Sequence, residues 1–90
     1  MASVTSPLGQ QIRAAREAAP NVARESGVGL SVRAAAEAAG LVTSHYQRLE
    51  GGEVAAPEPR TLRRLAEALH PEGEDPAVLY ERFMRAAGHL

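Results

Sequence analysis

Three prolines, Pro7, Pro59 and Pro76, each head a segment whose apolar residues recur every three or four positions. At the first helical position a proline loses nothing, because its missing N–H would have no intrahelical acceptor there, and its fixed φ suits the helix. Ser6 and Asp75 directly precede two of these prolines, and both side chains can accept a hydrogen bond from the first turn. Glycines at 27, 29, 40, 51 and 52 then interrupt the chain between the first and the second of these segments. A sequence punctuated in this way folds as a cluster of short helices.

The apolar periodicity sets the expected elements. A first helix spans about 7–19, with Leu8, Ile12, Ala15 and Ala19 inward and Arg13 and Glu17 on the opposite side, placed to pair at i, i+4. Residues 20–26 fit either a loop or a short helical turn. Ser31 caps a second helix with Ala35, Ala36 and Ala39 inward, and Gly40 supplies the conformation that ends it. A third helix runs from Thr43 to about Glu50, anchored by Leu41, Tyr46 and Leu49 and stopped at Gly51-Gly52. Residues 53–58 read as loop. Leu62, Leu65, Ala66 and Leu69 form the stripe of a fourth helix, ended by His70-Pro71. A fifth helix, about 75–90, carries Leu79, Phe83, Ala86, Ala87 and Leu90 on one side, with Val78, Tyr80 and Met84 widening its apolar face. No alternating apolar pattern of strand length occurs, so the fold class is all-α: one five-helix domain over residues 1–90.

Composition narrows the chemistry. Ninety residues bury only about 60% of their unfolded surface, which demands a compact core. There is no cysteine, and therefore no disulfide, thiolate catalysis or Cys-based zinc site. His45, His70 and His89 are far apart with no ligand spacing around them, so no metal is expected. All ten basic residues are Arg, and without Lys a Walker-type phosphate loop is impossible. GVGLSV at 27–32 lacks the third glycine of a dinucleotide fingerprint and follows no strand. No cofactor and no enzymatic activity are expected. No apolar run approaches the ~18 residues of a membrane span and the first residues lack the pattern of a signal peptide, so a cytoplasmic protein with no membrane partner is expected. The net charge of −1 is unevenly spread: residues 1–64 hold eight Arg against six Glu, a net of +2, and residues 65–90 hold two Arg against four Glu and one Asp, a net of −3.

Two short helices joined through Gly40-Leu41-Val42, with small Ala36 allowing a close crossing, have the geometry of a helix-turn-helix over about 31–50. The run GLSVRAAAEAAGLVTSHYQRLEGG at 29–52, followed by PEPRTLRRLAEAL at 57–69, resembles the phage-repressor and Cro-like (XRE) family. LGQQIRAARE at 8–17 is similar to that family's first helix, which extends the resemblance from Leu8 to Leu69. Tyr46 and the long joint before Gly29 are further similar to the actinobacterial MmyB-like branch.

The resemblance implies a lambda-repressor-like fold that binds double-stranded DNA, with the third helix in the major groove. Thr43, Ser44, Gln47 and Arg48 then match positions that reach base edges, flanked by His45. Side-chain chemistry suits those roles. Arg can hold guanine O6 and N7 with two bonds, Gln can do the same for adenine N6 and N7, and the Thr methyl can meet thymine. The alternative for Gln47 is a capping box with Ser44. Phosphate contacts are implied for Arg33, for the N–H groups around Gly52, and for Arg60 with Thr61 at the start of helix four. Arg16 and Glu50 stand where the family places an ion pair linking helices one and three.

Three departures stand out. Ala35 and Ala39 stand where larger aliphatics are common in the family, and Val22 and Val28, from the stretch at 20–28, are expected to fill that space. Val32 occupies the place of a Gln that bonds a phosphate in the family, and Val42 replaces a capping Ser or Thr at a cost of roughly 1 kcal/mol unless Thr43 or Ser44 takes over. The function implied is a transcription regulator acting as a repressor, bound as a homodimer to a two-fold operator, with Val78, Tyr80 and Met84 left for a contact between copies. The alternative is a protein-interaction module, such as an antitoxin or phage accessory protein, that works through the acidic fifth helix.

Overall fold

A computed structural model of the chain describes residues 7–54 and 57–89. Five helices run in order: α1 (Pro7–Ala18), α2 (Val32–Ala38), α3 (Thr43–Glu50), α4 (Pro59–Leu69) and α5 (Pro76–Ala86). Among the described residues there is no strand, only an isolated antiparallel bridge between Pro20 and Val28. The cap expected from Ser6 and the apolar contact expected from Leu90 lie outside the described residues. The other two expected caps form: Ser31 Oγ accepts from the Ala34 amide at 3.0 Å, and Asp75 Oδ1 from the Ala77 amide at 2.9 Å.

Three helices end in one way. After α2, the Gly40 amide donates to the Glu37 carbonyl and the Leu41 amide to the Ala36 carbonyl, the paired bonds of a Schellman motif. That motif needs positive φ at the first residue past the helix cap, and Gly40 sits there at φ +72°. The same pair of bonds recurs at Gly52-Glu53 after α3 and at Gly88-His89 after α5. α3 ends at Glu50 with Gly51-Gly52 as its stop, as expected, whereas α5 ends at Ala86 rather than near 90 because Gly88 turns the chain left-handed.

The core draws on all five helices: Leu8 and Ile12 from α1, Ala35 and Ala36 from α2, Tyr46 and Leu49 from α3, Leu62, Leu65, Ala66 and Leu69 from α4, Leu79 and Phe83 from α5. Each fully buried large apolar side chain contributes roughly 1.5–3 kcal/mol. α4 packs most extensively against α5, while α1 touches α3, α4 and α5. α3 is thus seated on α1 and α2, and the back of the molecule is closed by α4 and α5.

The stretch joining α1 to α2 is a loop rather than a helical turn. Asn21 organises it: its amide donates to the Gly27 carbonyl, its Nδ2 to the Gly29 carbonyl at 2.7 Å, and its Oδ1 accepts from the Ala23 amide. The loop is sewn onto α1 by Gly29 N–H to Ala19 O and Leu30 N–H to Arg16 O. Val22 and Val28 do not fill the core. They are 103% and 46% exposed, because the Pro20–Val28 bridge closes the loop outside the helices. The half-buried aliphatics that pack against the core near this segment are Leu30, Val32 and Leu41.

Candidate nucleic-acid interface

Tyr46 and Leu49 are the buried positions of α3, and they fix which side of the helix faces out. Ser44, Gln47 and Arg48, at i, i+3 and i+4, share the opposite, exposed face. Thr43 and His45 flank it and are half-buried. Val42 is the N-cap of α3 and gives it no side-chain bond, and neither Thr43 nor Ser44 takes over. With the cap at Val42, Ser44 is inside the helix, and the Ser44–Gln47 capping box does not exist. Gln47 is therefore free of that duty. The missing cap lowers the intrinsic stability of α3, so tertiary contacts must hold it.

Arg16 supplies those contacts. Its Nε and Nη2 donate to Glu50 Oε2 and Oε1 at 2.9 and 2.8 Å, and its Nη1 donates to the Leu30 carbonyl at 2.9 Å. One guanidinium thus joins the end of α1, the segment leading into α2, and the last turn of α3. The two side chains are only 15% and 13% exposed. The hydrogen bond and charge of Glu50 hold the Arg16 guanidinium above its ordinary range, against the opposing effect of burial.

The Tyr46 hydroxyl is buried beside this pair. It makes no hydrogen bond of good geometry, although both Glu50 and Arg16 act on it electrostatically. Burial first, and the neighbouring carboxylate second, push its ionisation well above the usual tyrosine range. Below pH 10 the group is neutral in both folded and unfolded chains, and only at higher pH does its reluctance to ionise subtract from stability. A buried hydroxyl without a partner adds little, so Tyr46→Phe is expected to leave the unfolding free energy unchanged or slightly raised. A loss above ~1 kcal/mol in urea titrations would show instead that the hydroxyl bonds the pair.

The expected phosphate contacts fare unequally. Arg33 is exposed and reaches Glu37 at 3.6 Å, an exposed pair of little strength. Arg48 and Arg60 are exposed, and among the described residues neither has an ion-pair partner. Thr61 is half-buried in the first turn of α4, where Glu58 provides no side-chain cap. The amides around Gly52 are already engaged: Gly51, Gly52 and Glu53 donate to Gln47, Leu49 and Arg48 carbonyls to finish α3. A phosphate near Gly52 would therefore have to share donors that the Schellman turn already uses.

Three contacts escaped the sequence reading. Arg13 lines a groove with Val32, Gln47, Glu50 and Gly51, beside the exposed face of α3. Its spacing of three from Arg16 was the available signal, because it puts Arg13 one turn earlier on the side of α1 that meets α3. Arg63 lies over the Tyr80 ring at 5.3 Å, and His89 Nε2 contacts the Pro57 carbonyl at 2.9 Å. Nothing in the sequence spacing marks either. Among the described residues no group of His, Asp and Glu could hold a metal ion.

Two short helices crossing on small alanines, a Schellman turn at Gly40, and a second helix with one buried and one polar face define a helix-turn-helix protein of lambda-repressor-like fold. The chain belongs to the family described as a helix-turn-helix domain, which matches residues 7–79. It is 33% identical over 85 residues to the uncharacterized HTH-type transcriptional regulator RghRB of Bacillus subtilis (strain 168), in an alignment covering 94% of this chain and 50% of that protein. The chain therefore spans about half the length of this relative. No solved structure matches it. The family is not enzymatic, and no helix of the described residues is long and apolar enough to cross a membrane.

Proposed function

We propose that this chain is a sequence-specific DNA-binding transcription regulator of the phage-repressor and Cro-like (XRE) type, working in the cytoplasm and reading the major groove with α3. The observation that carries this reading is Arg48, exposed and without an ion-pair partner among the described residues, on one face with Ser44 and Gln47. Arg48 and Gln47 contact bases, Ser44, Thr43 and His45 support them, and Arg33, Arg60 and Thr61 hold the backbone. The kinship with a transcriptional regulator supports the same reading.

The regulator acts as a repressor, a homodimer on a two-fold operator whose half-sites lie one turn apart, near ~34 Å. Val78, 48% exposed, is the large apolar residue of α5 most open to a second copy. Tyr80 and Met84 contribute less than their sequence suggests, since both are half-buried against their own core.

Selection of bound sequences from random duplexes tests the proposal. A two-fold symmetric site carrying two chains per duplex by sedimentation is expected. Recovery of no enriched sequence would sink DNA reading and favour a protein-interaction module. On the selected site, Arg48→Ala is expected to cost ~1–3 kcal/mol of affinity and to relax the preferred bases, as loss of a bidentate contact does. Arg60→Ala should weaken cognate and random duplexes alike. Equal losses on both duplexes for both variants would contradict the assigned roles.

A further inference from the structure

The groove beside α3 is walled by side chains from three helices, with Arg13 from α1, Val32 from α2, and Gln47, Glu50 and neighbouring Gly51 at the end of α3. Gln47 belongs to the exposed face proposed to meet bases, so whatever lies along that face also passes the mouth of the groove. Val32 offers no polar group there. The one carboxylate in the lining, Glu50, has both oxygens bonded to Arg16, which neutralises it locally. Arg13 is different. Its only ion-pair contact among the described residues is Glu17 at 3.5 Å, between side chains 66% and 57% exposed, and such a pair is weak and readily exchanged.

We propose that Arg13 leaves Glu17 and binds a backbone phosphate of the DNA lying along α3, making the groove between α1 and α3 a phosphate seat beside the base-reading residues. The chemistry is that of a planar, permanently charged fork, which engages phosphate oxygens as well as a carboxylate. This contact fixes position on the duplex and carries no sequence information. It rests on the DNA-binding reading above and adds to it a positioning residue on a helix outside the helix-turn-helix. Glu17 competes with the phosphate, so the Arg13–Glu17 pair moderates affinity for all duplexes.

Salt dependence of binding by the full chain tests this, using the selected duplex and a random one. Each phosphate contact contributes about 0.9 to the slope of log affinity against log salt, so Arg13→Gln should flatten the slope by roughly that amount. The wild-type advantage over the variant should then narrow by roughly 3.5-fold between 50 and 200 mM salt, equally on both duplexes. Glu17→Gln should tighten binding, and that gain should vanish in the Arg13→Gln background. Because Gln keeps the helix and the exposed pair is weak, thermal unfolding should not change. If the parent chain binds neither duplex, the DNA-binding reading falls and this proposal with it. If the parent binds but Arg13→Gln leaves the slope unchanged, or Glu17→Gln gains affinity with or without Arg13, only the phosphate seat is overturned.

Discussion

Glu50→Ala is expected to cost ~3–5 kcal/mol of unfolding free energy, the loss typical when one partner of a buried pair is removed. The residual exposure of both side chains, 15% and 13%, places the value toward the lower end. Arg16→Ala should cost more than Glu50→Ala, since it also breaks the bond to the Leu30 carbonyl and leaves the Glu50 carboxylate beside a buried tyrosine hydroxyl. Against a total stability of ~5–15 kcal/mol for a domain of this size, either change brings the chain close to unfolding at ambient temperature. Loss of DNA binding would result from loss of the seat of α3, which has no side-chain N-cap of its own. Replacing both residues by apolar ones of similar volume should be much milder, because no charge is then stranded. A double-mutant cycle in denaturant decides the matter. Additive effects below 1 kcal/mol for the two alanine substitutions would mean the bonds seen in the structure contribute nothing net.

The helices themselves could be read from residues. Proline at the first position of α1, α4 and α5, with period-3.6 stripes behind it, fixes where they begin, because φ restriction and the orphan first-turn amides are local properties. Ends were legible where a glycine comes next, and wrong by a few residues where the last residues of the chain were expected to be helical. What spacing cannot carry is which loop residues turn inward. Val22 and Val28 are as apolar as Leu30, yet only the bond network of Asn21 decides that the loop folds outside the core. The site divides along the same line. Ser44, Gln47 and Arg48 sit on one face by helical spacing alone, whereas the groove that joins Arg13 to Gln47, 34 residues away, exists only once α1 and α3 have packed.

The fifth helix presents the second large effect. The family match ends at residue 79, inside α5, and a reading by likeness alone would treat the rest of that helix as an appendage. The packing says otherwise: Phe83, one turn beyond that limit, is 0% exposed, and α5 forms the most extensive helix contact in the molecule with α4. A helix of eleven residues has little stability by itself, so α5 is held by burial of Leu79 and Phe83 rather than by its Asp75 cap. Phe83→Ala is therefore expected to destabilise the chain by ~3–5 kcal/mol through lost transfer energy and the cavity left behind, lowering the melting midpoint by at least about 12 °C. Val78→Ala, on the exposed side of the same helix, should change stability by less than ~0.5 kcal/mol. The contrast separates a core role from a general sensitivity of α5. Urea unfolding monitored by far-UV circular dichroism supplies both numbers, and a single transition lost uniformly in Phe83→Ala is the expected form, because the core is shared by all five helices. Should Phe83→Ala melt within a few degrees of the parent chain, α5 beyond residue 79 would not belong to the cooperative unit, and the wall closing the back of the helix-turn-helix would have to be built from α4 alone.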